Sequence, residues 1–458
     1  MAKWLPAALD YASQWAAYKV RLHELPGVSL AVLQDGKPVL TAAYGHADLG
    51  EGVKLTPDHQ FRVASHSKSF TAVGVLKLVE AGRLRLDDRV GQHVKGLHKS
   101  LARATVGQLL SHSAGVIRDG ADGGQWADRR PFLDESELRA ELAVAPVLPA
   151  NTRMKYSNHG FGLAGLMIEA VTGEPYGQWM AREVVARAGL KHTWPDTPTL
   201  EMDRLARGHG TKLLLGRRAI IPGDNPTNAL AAATGFVSTA AELARFFSQI
   251  DPQAKKSLLH IESRREMTRP HWKVPDLSIE QHYGLGTIQG RIGPWETVGH
   301  SGGFQGFLTQ TAVLRGQGLT VSVLTNAMDG TPGFFLEGIV RILQAFAAAG
   351  PAPKKLADWS GRWWGGPWGA LDLVPLGDKV LVASPALWNP FADAAELTVG
   401  KGDEALIAKA SGFASHGETA RLVRSRSGKV AEVWVAASRL QTEKAAAKEV
   451  RALYRLAE

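Results

Sequence analysis

Residues 61–84 read FRVASHSKSFTAVGVLKLVEAGRL, and the interpretation of the whole chain starts from this stretch. The short apolar run 61–64 predicts a strand, and the apolar spacing of 70–84 predicts a buried helix. Ser65 therefore stands at a strand-to-helix junction, where unpaired backbone N–H groups and the helix dipole stabilise negative charge. Lys68 returns to the same face one turn later, and a desolvated lysine can act as a base near neutral pH. The pair predicts a nucleophilic serine activated by an amine.

The overall composition is typical of a soluble globular protein with two or three domains. The chain has 458 residues, of which 45% are hydrophobic and 21% charged. It contains no cysteine, which excludes disulfides, thiolate chemistry and cysteine-ligated metals. Because no His, Asp or Glu grouping has ligand spacing, we expect neither a metal nor another cofactor.

The charge balance is basic, with a net charge of +9 and a pI of about 9.6. The basic pairs are scattered and no aromatic-basic stripe accompanies them, so we expect no nucleic-acid partner. Residues 1–20 carry Pro6 and Asp10 where a secretory signal needs an unbroken apolar run. No later segment approaches the length of a membrane span, so we expect no membrane partner. These features predict a cytoplasmic protein and leave a periplasmic or secreted location open.

The first 350 residues alternate between β-rich and helical patterns. The runs 28–34 and 37–44 are joined by Asp35-Gly36, a strong hairpin signal. The pattern from about residue 105 to 240 is mostly helical, and β-rich runs return between 283 and 324. These patterns predict an antiparallel sheet built from both ends of the region, with a helical insertion between them.

A linker at Pro351–Lys355 separates this region from a C-terminal segment with a different pattern. Tryptophans cluster at the start of the segment, and we interpret them as core and plug residues rather than a base-stacking platform. Six short β-rich runs predict an all-β barrel or sandwich: 370–374, 380–383, 397–399, 405–409, 419–424 and 430–436. The predicted domains are therefore 1–350 and 351–458.

A second motif, Tyr156-Ser157-Asn158, lies between a proline-containing loop and a predicted helix, so its side chains can enter a cleft. A tyrosine whose pKa is lowered by a neighbouring lysine can take the proton from Ser65. Asn158 can orient both a substrate amide and Lys68. The alternative is a purely structural role, in which Tyr156 lies in the core and its hydroxyl forms a hydrogen bond.

A third motif, His300-Ser301-Gly302-Gly303, is predicted to end a strand that begins near residue 296. If that strand borders the cleft, the N–H groups of Gly303 and Ser65 can form an oxyanion hole. Each such donor stabilises a transition state by about 3 kcal/mol. His300 and Ser301 would then contact the substrate's carboxylate or leaving group.

In this order, Ser65-x-x-Lys68, Tyr156-x-Asn158 and His300-x-Gly302 resemble the three motifs of the class C β-lactamase and penicillin-binding-protein-like serine hydrolases. That family includes D-aminopeptidases, D-alanyl-D-alanine carboxypeptidases and related esterases. Three further stretches are similar too, 108–115, 233–239 and 283–286.

The resemblance implies an α+β fold of the serine β-lactamase type in 1–350, followed by a lipocalin-like β-barrel. It implies that Ser65 forms an acyl-enzyme with Lys68 and Tyr156 as the general-base pair, and the sequence leaves open which of the two holds the proton. His300 stands where class C β-lactamases have lysine, which favours the peptidase members. The implied substrates are small molecules or short peptides, with D-residues among them, and a homo-oligomer is compatible with the sequence.

Several alternatives stay open. A carboxylesterase or a β-lactamase would use the same scaffold, and a non-catalytic penicillin-binding-like sensor would keep the cleft without turnover. Gly299-His300-Ser301-Gly302-Gly303 also fits the Gly-x-Ser-x-Gly nucleophile elbow, in which Ser301 would attack. That elbow needs a helix after the serine, whereas 304–314 predicts a strand. His66 is a poor base for Ser65, because adjacent helical residues point about 100° apart.

Overall fold

The computed structural model describes residues 2–410 and 415–457, and the chain packs as two compact units. One unit consists of residues 25–336, and the other combines 1–24 with 337–458. The domains expected from the sequence, 1–350 and 351–458, stay a prediction. In the compact units, the N-terminal 24 residues and 337–350 group with the C-terminal segment.

Helices occur in both units, and one helix of the 25–336 unit begins two residues after Ser65. The α-helices are α1 Leu5–Leu22, α2 Ser67–Glu80, α3 Val90–His93, α4 Val106–Leu110, α5 Glu135–Leu142, α6 Asn158–Thr172, α7 Tyr176–Met180, α8 Ala231–Thr234, α9 Ala240–Ile250, α10 Ile261–Thr268, α11 Pro332–Ala349 and α12 Glu443–Tyr454. Residues 67–76 of α2 are all buried, which makes it the central helix of its unit. Ser157 caps α6, because its Oγ accepts a hydrogen bond from the Gly160 N–H at 2.8 Å.

A nine-stranded sheet forms the second layer of this unit, in the order β3-β2-β1-β13-β12-β11-β10-β9-β8. Asp35 and Gly36 both have positive φ, as the tight turn between β1 and β2 requires. The strands before the barrel are β1 Gly27–Gln34, β2 Lys37–Asp48, β3 Val53–Lys54, β4 Phe61–Arg62, β5 Gly208–His209, β6 Ile220–Ile221, β7 Val237–Ser238, β8 Trp272–Lys273, β9 His282–Tyr283, β10 Ile288–Ile292, β11 Trp295–Phe304, β12 Phe307–Leu314 and β13 Leu319–Thr325. The described neighbours in the sheet pair antiparallel, which confirms the predicted α+β architecture.

The other unit contains a closed eight-stranded barrel, which confirms the predicted C-terminal all-β fold. Its interior is filled by apolar side chains, among them Trp359, Trp363, Leu397 and Val433. The barrel strands are β14 Gly361–Trp364, β15 Ala370–Leu376, β16 Lys379–Ala383, β17 Ala395–Val399, β18 Glu404–Lys409, β19 Thr419–Arg424, β20 Val430–Val435 and β21 Ser438–Gln441. Two of these strands, β14 and β21, were not expected from the sequence.

Helix α1 packs within the barrel's unit through aromatic and polar contacts. Trp15 Nε1 donates to Leu387 O at 3.2 Å, and the buried Lys19 Nζ donates to Ala386 O at 2.7 Å. Lys19 also lies over the Trp388 ring at 3.8 Å, and burial lowers the pKa of Lys19 to about 8. The N-terminal helix is therefore a packed part of this unit.

One helix among the described residues, α11, is long and apolar enough to cross a membrane by length and composition. Its mean hydropathy is 1.2, and half of the helix is buried inside the protein. No segment of this length was expected from the sequence, and that expectation was too strong. Because the core helix of a soluble protein meets the same criterion, α11 alone does not indicate a span.

Candidate active site

Ser65 lies in a short 3₁₀ turn, Ala64–His66, between β4 and α2. The predicted strand ends two residues earlier than expected, and the helix begins at Ser67. Ala64 adopts a φ of 49°, an uncommon conformation for a residue with a side chain. The turn is fixed by Ser67, whose Oγ donates to Ala64 O at 2.6 Å and accepts from the Phe236 N–H at 2.9 Å. Ser65 itself remains partly exposed in a cleft.

Lys68 is fully buried beneath Ser65, and its amine meets three oxygen atoms. Nζ lies 3.0 Å from Ser65 Oγ, 2.7 Å from Asn158 Oδ1 and 2.8 Å from Ala233 O. Burial holds the pKa of Lys68 well below its usual value; Asp119 raises this pKa and Arg118 lowers it. Burial therefore favours the neutral form of the amine, which is the form that can act as a base.

Tyr156 approaches Ser65 from the other side, and its OH lies 2.8 Å from Ser65 Oγ. Its ring lies against that of His112, with 4.2 Å between centroids and a tilt of 40°, and His112 Nδ1 accepts a hydrogen bond from the Ser157 N–H at 3.1 Å. Burial raises the pKa of Tyr156, and the hydrogen bond to Ser65 only partly offsets that effect. The expectation that a neighbouring lysine lowers the pKa of this tyrosine was therefore wrong, because the lysine is itself desolvated.

His300 is buried at the wall of the cleft, and both of its ring nitrogens are engaged. Nδ1 lies 2.7 Å from Ser301 O, which can only accept, so Nδ1 carries the ring proton. Nε2 then accepts from the Tyr283 OH at 2.9 Å. Burial keeps the pKa of His300 well below its usual value. His300 thus presents a neutral ring, not the cation that a substrate carboxylate would prefer.

The third motif lies in the last part of β11, one residue before the strand ends at Phe304, as the sequence predicted. His300 pairs with Thr311 and Gly303 with Leu308, and β12 follows directly. A Cβ at Gly302 would lie 2.2 Å from Val63 O, so only glycine lets β11 run alongside the Ser65 turn. Because a strand follows Ser301 and not a helix, the nucleophile-elbow alternative has no structural basis.

A charged pair that the sequence analysis did not single out borders the cleft. Asp119 Oδ1 accepts from Asn158 Nδ2 at 2.6 Å and from Trp126 Nε1 at 3.0 Å. Its other oxygen lies 3.0 Å from Arg118 Nε, and the Arg118 side chain is 64% exposed. Asp119 thereby fixes the amide of Asn158 with its oxygen toward Lys68. The only sequence signal for this pair is its position shortly after the 108–115 stretch.

These residues enclose a cleft of about 330 Å³. Nearly every predicted site residue lines it, and Lys68 lies directly beneath. Arg118, Trp126 and Ile288 add a cation and two apolar surfaces. The lining residues are Ser65, Arg118, Asp119, Trp126, Tyr156, Asn158, Ile288, His300, Ser301, Gly302 and Gly303.

By contrast, His66 points away from the cleft. Its Nδ1 is hydrogen-bonded to Val63 O at 2.9 Å, and burial lowers its pKa to about 4.

The chain is similar to known proteins in sequence and in fold. Residues 14–346 match the family model described as beta-lactamase. Penicillin-binding protein 4 of Amycolatopsis lactamdurans is 28% identical over 367 residues, covering 74% of this chain and 93% of that protein. Protein flp of Staphylococcus aureus (strain MW2) is 30% identical over 176 residues, and the match spans 34% of that protein's length.

Solved structures extend the likeness to the fold. The octameric penicillin-binding protein homologue from Pyrococcus abyssi has a TM-score of 0.66 at 23% identity, covering 94% of this chain and 99% of that one. A D-stereospecific amidohydrolase from Streptomyces sp. has a TM-score of 0.62 at 26% identity, covering 73% and 97%. The D-amino acid amidase from Ochrobactrum anthropi SV3, complexed with L-phenylalanine amide, has a TM-score of 0.61 at 26% identity, covering 73% and 96%.

Proposed function

This chain belongs to the beta-lactamase family, and from that premise we propose that it is a serine hydrolase that cleaves amide bonds in small substrates through an acyl-enzyme on Ser65. The observation that carries the proposal is the position of Ser65 Oγ, 3.0 Å from a buried amine and 2.8 Å from a phenol. A nucleophile needs a base within hydrogen-bond reach and a group that orients the base. Lys68 and Asn158 meet both conditions.

The hydrogen-bond inventory of Lys68 supports its role as the base. Two of its three partners, Asn158 Oδ1 and Ala233 O, can only accept, and they use both N–H bonds of a neutral amine. The lone pair of that amine then faces Ser65 Oγ. The Ser65 hydroxyl can donate to it while accepting from Tyr156, so its proton already points at the base.

Acylation follows from this arrangement with each proton accounted for. Lys68 takes the Ser65 proton as Oγ bonds to the substrate carbonyl carbon, and the carbonyl electron pair moves onto oxygen. The N–H groups of Ser65 and Gly303 would hold that oxyanion. When the C–N bond breaks, Tyr156 protonates the leaving amine, and the Lys68 ammonium returns a proton to the phenolate. Water then attacks the ester by the same route, with Lys68 neutral again.

The raised pKa of Tyr156 gives it the role of acid rather than base. A phenol that stays protonated donates to Ser65 Oγ before the reaction and is ready to donate to the departing nitrogen. In this mechanism Lys68 is the base and Tyr156 the acid, whereas the family resemblance implies that the two act together as the general base. It also accounts for the cluster of rings that holds Tyr156, with His112 at 4.2 Å and Tyr283 at 6.2 Å between centroids.

The cleft favours a small amide with one apolar side chain. About 330 Å³ accommodates an amino-acid amide or a short peptide but not a folded chain, and Trp126 and Ile288 offer apolar contact. The likeness to a D-stereospecific amidohydrolase and a D-amino acid amidase supports D-residues in the acyl position. The neutral His300 supports an amidase over a β-lactamase.

A small substrate panel tests the proposal. We expect hydrolysis of D-phenylalanine amide to exceed that of the L-amide, with no turnover of a cephalosporin and none of either amide by Ser65→Ala. Faster hydrolysis of the cephalosporin than of any amide would overturn the assignment. Turnover of simple esters alone would favour the esterase alternative, and an inert protein would favour the sensor.

A further inference from the structure

The hairpin formed by β5 and β6 ends in an apolar tip, residues 211–217, that nothing in the described structure covers. Leu213, Leu214 and Leu215 at this tip are 93%, 82% and 61% exposed. Every residue from 212 to 217 is exposed, and a Cβ at Gly216 would meet no atom within 4 Å. Three consecutive leucines in water are unfavourable, and exposed apolar patches of this kind mark interaction surfaces.

The base of the hairpin is firmly held, so the tip projects from a fixed point. Gly208 and His209 pair with Ile221 and Ile220, and the Gly210 N–H donates to Ala219 O at 2.8 Å. The His209 carbonyl accepts from the Met328 N–H at 3.0 Å. A stem held by backbone hydrogen bonds, with an uncovered apolar end, is suited to inserting that end into an apolar environment.

Basic residues bracket the leucines. Lys212 precedes them and Arg217 follows them, and both are exposed. Arg218 is different, because its side chain is only 7% exposed, near the base of the hairpin, where it meets Asp329. Cations on either side of an inserted apolar segment lie at the level of lipid phosphates, where they add electrostatic attraction to apolar burial.

We propose that the tip 211–217 is a peripheral docking site for an anionic lipid surface, with Leu213–Leu215 entering the headgroup and acyl boundary. The net charge of +9 favours an anionic surface and opposes docking of the tip onto a second copy of the same chain. A peripheral contact needs no spanning helix, so the proposal departs from the expectation of no membrane partner without requiring an integral protein.

Vesicle sedimentation tests the proposal with the full chain. We expect binding to vesicles of mixed phosphatidylglycerol and phosphatidylcholine, weak binding to phosphatidylcholine alone, and loss of binding at high salt. Leu213→Ser with Leu214→Ser should weaken binding about tenfold or more, since two buried leucines are removed. Leu200→Ser is the matched control, because Leu200 is 85% exposed but lies outside residues 211–217; it should bind as the wild type does.

Two results would overturn the proposal. Wild-type protein that stays in the supernatant with both vesicle types excludes a lipid site, as does a double variant that binds as tightly as the wild type. A change from oligomer to monomer in the double variant, measured by light scattering without lipid, would instead assign the tip to a contact between copies. Unchanged hydrolytic activity and thermal melting of each variant establish that the loss is not a folding defect.

Discussion

Replacing Asp119 by asparagine should move the pH dependence of catalysis to lower pH. Asp119 bonds to Asn158, and Asn158 bonds to the amine of Lys68. The carboxylate favours the protonated amine and therefore raises the pKa of Lys68. An asparagine at this position keeps an oxygen that can accept from Asn158 and Trp126, so the change removes the charge with little change in shape.

The size of the shift follows from the geometry. The Lys68 amine and the Asp119 carboxylate are linked through one amide by contacts of 2.7 and 2.6 Å. They are therefore about 7 Å apart, and at an effective dielectric of about 20 the two charges interact by roughly 2 kcal/mol. At about 1.4 kcal/mol for each factor of ten, that energy makes loss of the Lys68 proton more than tenfold more favourable when the charge is removed. Because the neutral amine is the base, we expect the acid limb of kcat/KM to move down by about one to two pH units.

The assay is the pH profile of kcat/KM with an uncharged chromogenic ester, whose own ionisation cannot move the limb. Arg118→Gln is the matched variant of opposite sign, because Arg118 lowers the pKa of Lys68. In this variant the acid limb of kcat/KM should move to higher pH, and by less than in Asp119→Asn. The effect is smaller because the Arg118 side chain is 64% exposed and solvent screens its charge. If the acid limbs of the two variants move in the same direction, or coincide with that of the wild type, the assignment of Lys68 as the base is refuted.

Three further predictions concern the phenol, the close approach of β11 and the barrel's unit. Tyr156→Phe should lower kcat about a hundredfold or more with KM little changed, and wild-type turnover would remove the phenol from proton transfer. Gly302→Ala, whose Cβ would lie 2.2 Å from a backbone oxygen, should cost about tenfold or more in kcat/KM and lower the melting temperature. Gly290→Ala, with 3.6 Å to the nearest atom, should do neither; equal effects of the two would contradict the packing argument. Deleting 354–458 should remove Leu387, whose carbonyl accepts from the buried Trp15, and yield aggregated protein, so a folded monomer in gel filtration would contradict the description of that unit.

The architecture of the 25–336 unit was largely predictable because its local signals agree with its packing. The Asp35-Gly36 turn supplies the positive φ values that the β1–β2 hairpin needs. The strands after residue 283 alternate or run apolar as buried strands do. The meeting of Ser65 with Tyr156, 91 residues apart, came from the family resemblance and not from any local pattern.

The elements and site residues that were not predicted from the sequence depend mostly on tertiary contacts. Strands β14 and β21 are only four residues long, which is too short for their pattern to stand out. Helix α12 buries only Ala446, although Val450, Leu453 and Tyr454 follow it at helical spacing. The glycines at 302 and 303 look like a turn, since glycine is depleted in strands, yet they lie within β11 because the Ser65 turn packs against it. Asp119 had no local signal beyond its position shortly after the 108–115 stretch, because its bond to Asn158 exists only in the folded chain.

The central claim is that the Ser65 hydroxyl, made reactive by Lys68, carries the acyl group. Rapid quenching of the protein with a chromogenic ester, followed by mass analysis of its peptides, tests this most directly. We predict one product equivalent released in a burst and one acyl group on the peptide containing Ser65, with neither in Ser65→Ala or Lys68→Ala and both retained in Ser301→Ala. An acyl group on Ser301, or a full burst from Lys68→Ala, would contradict it.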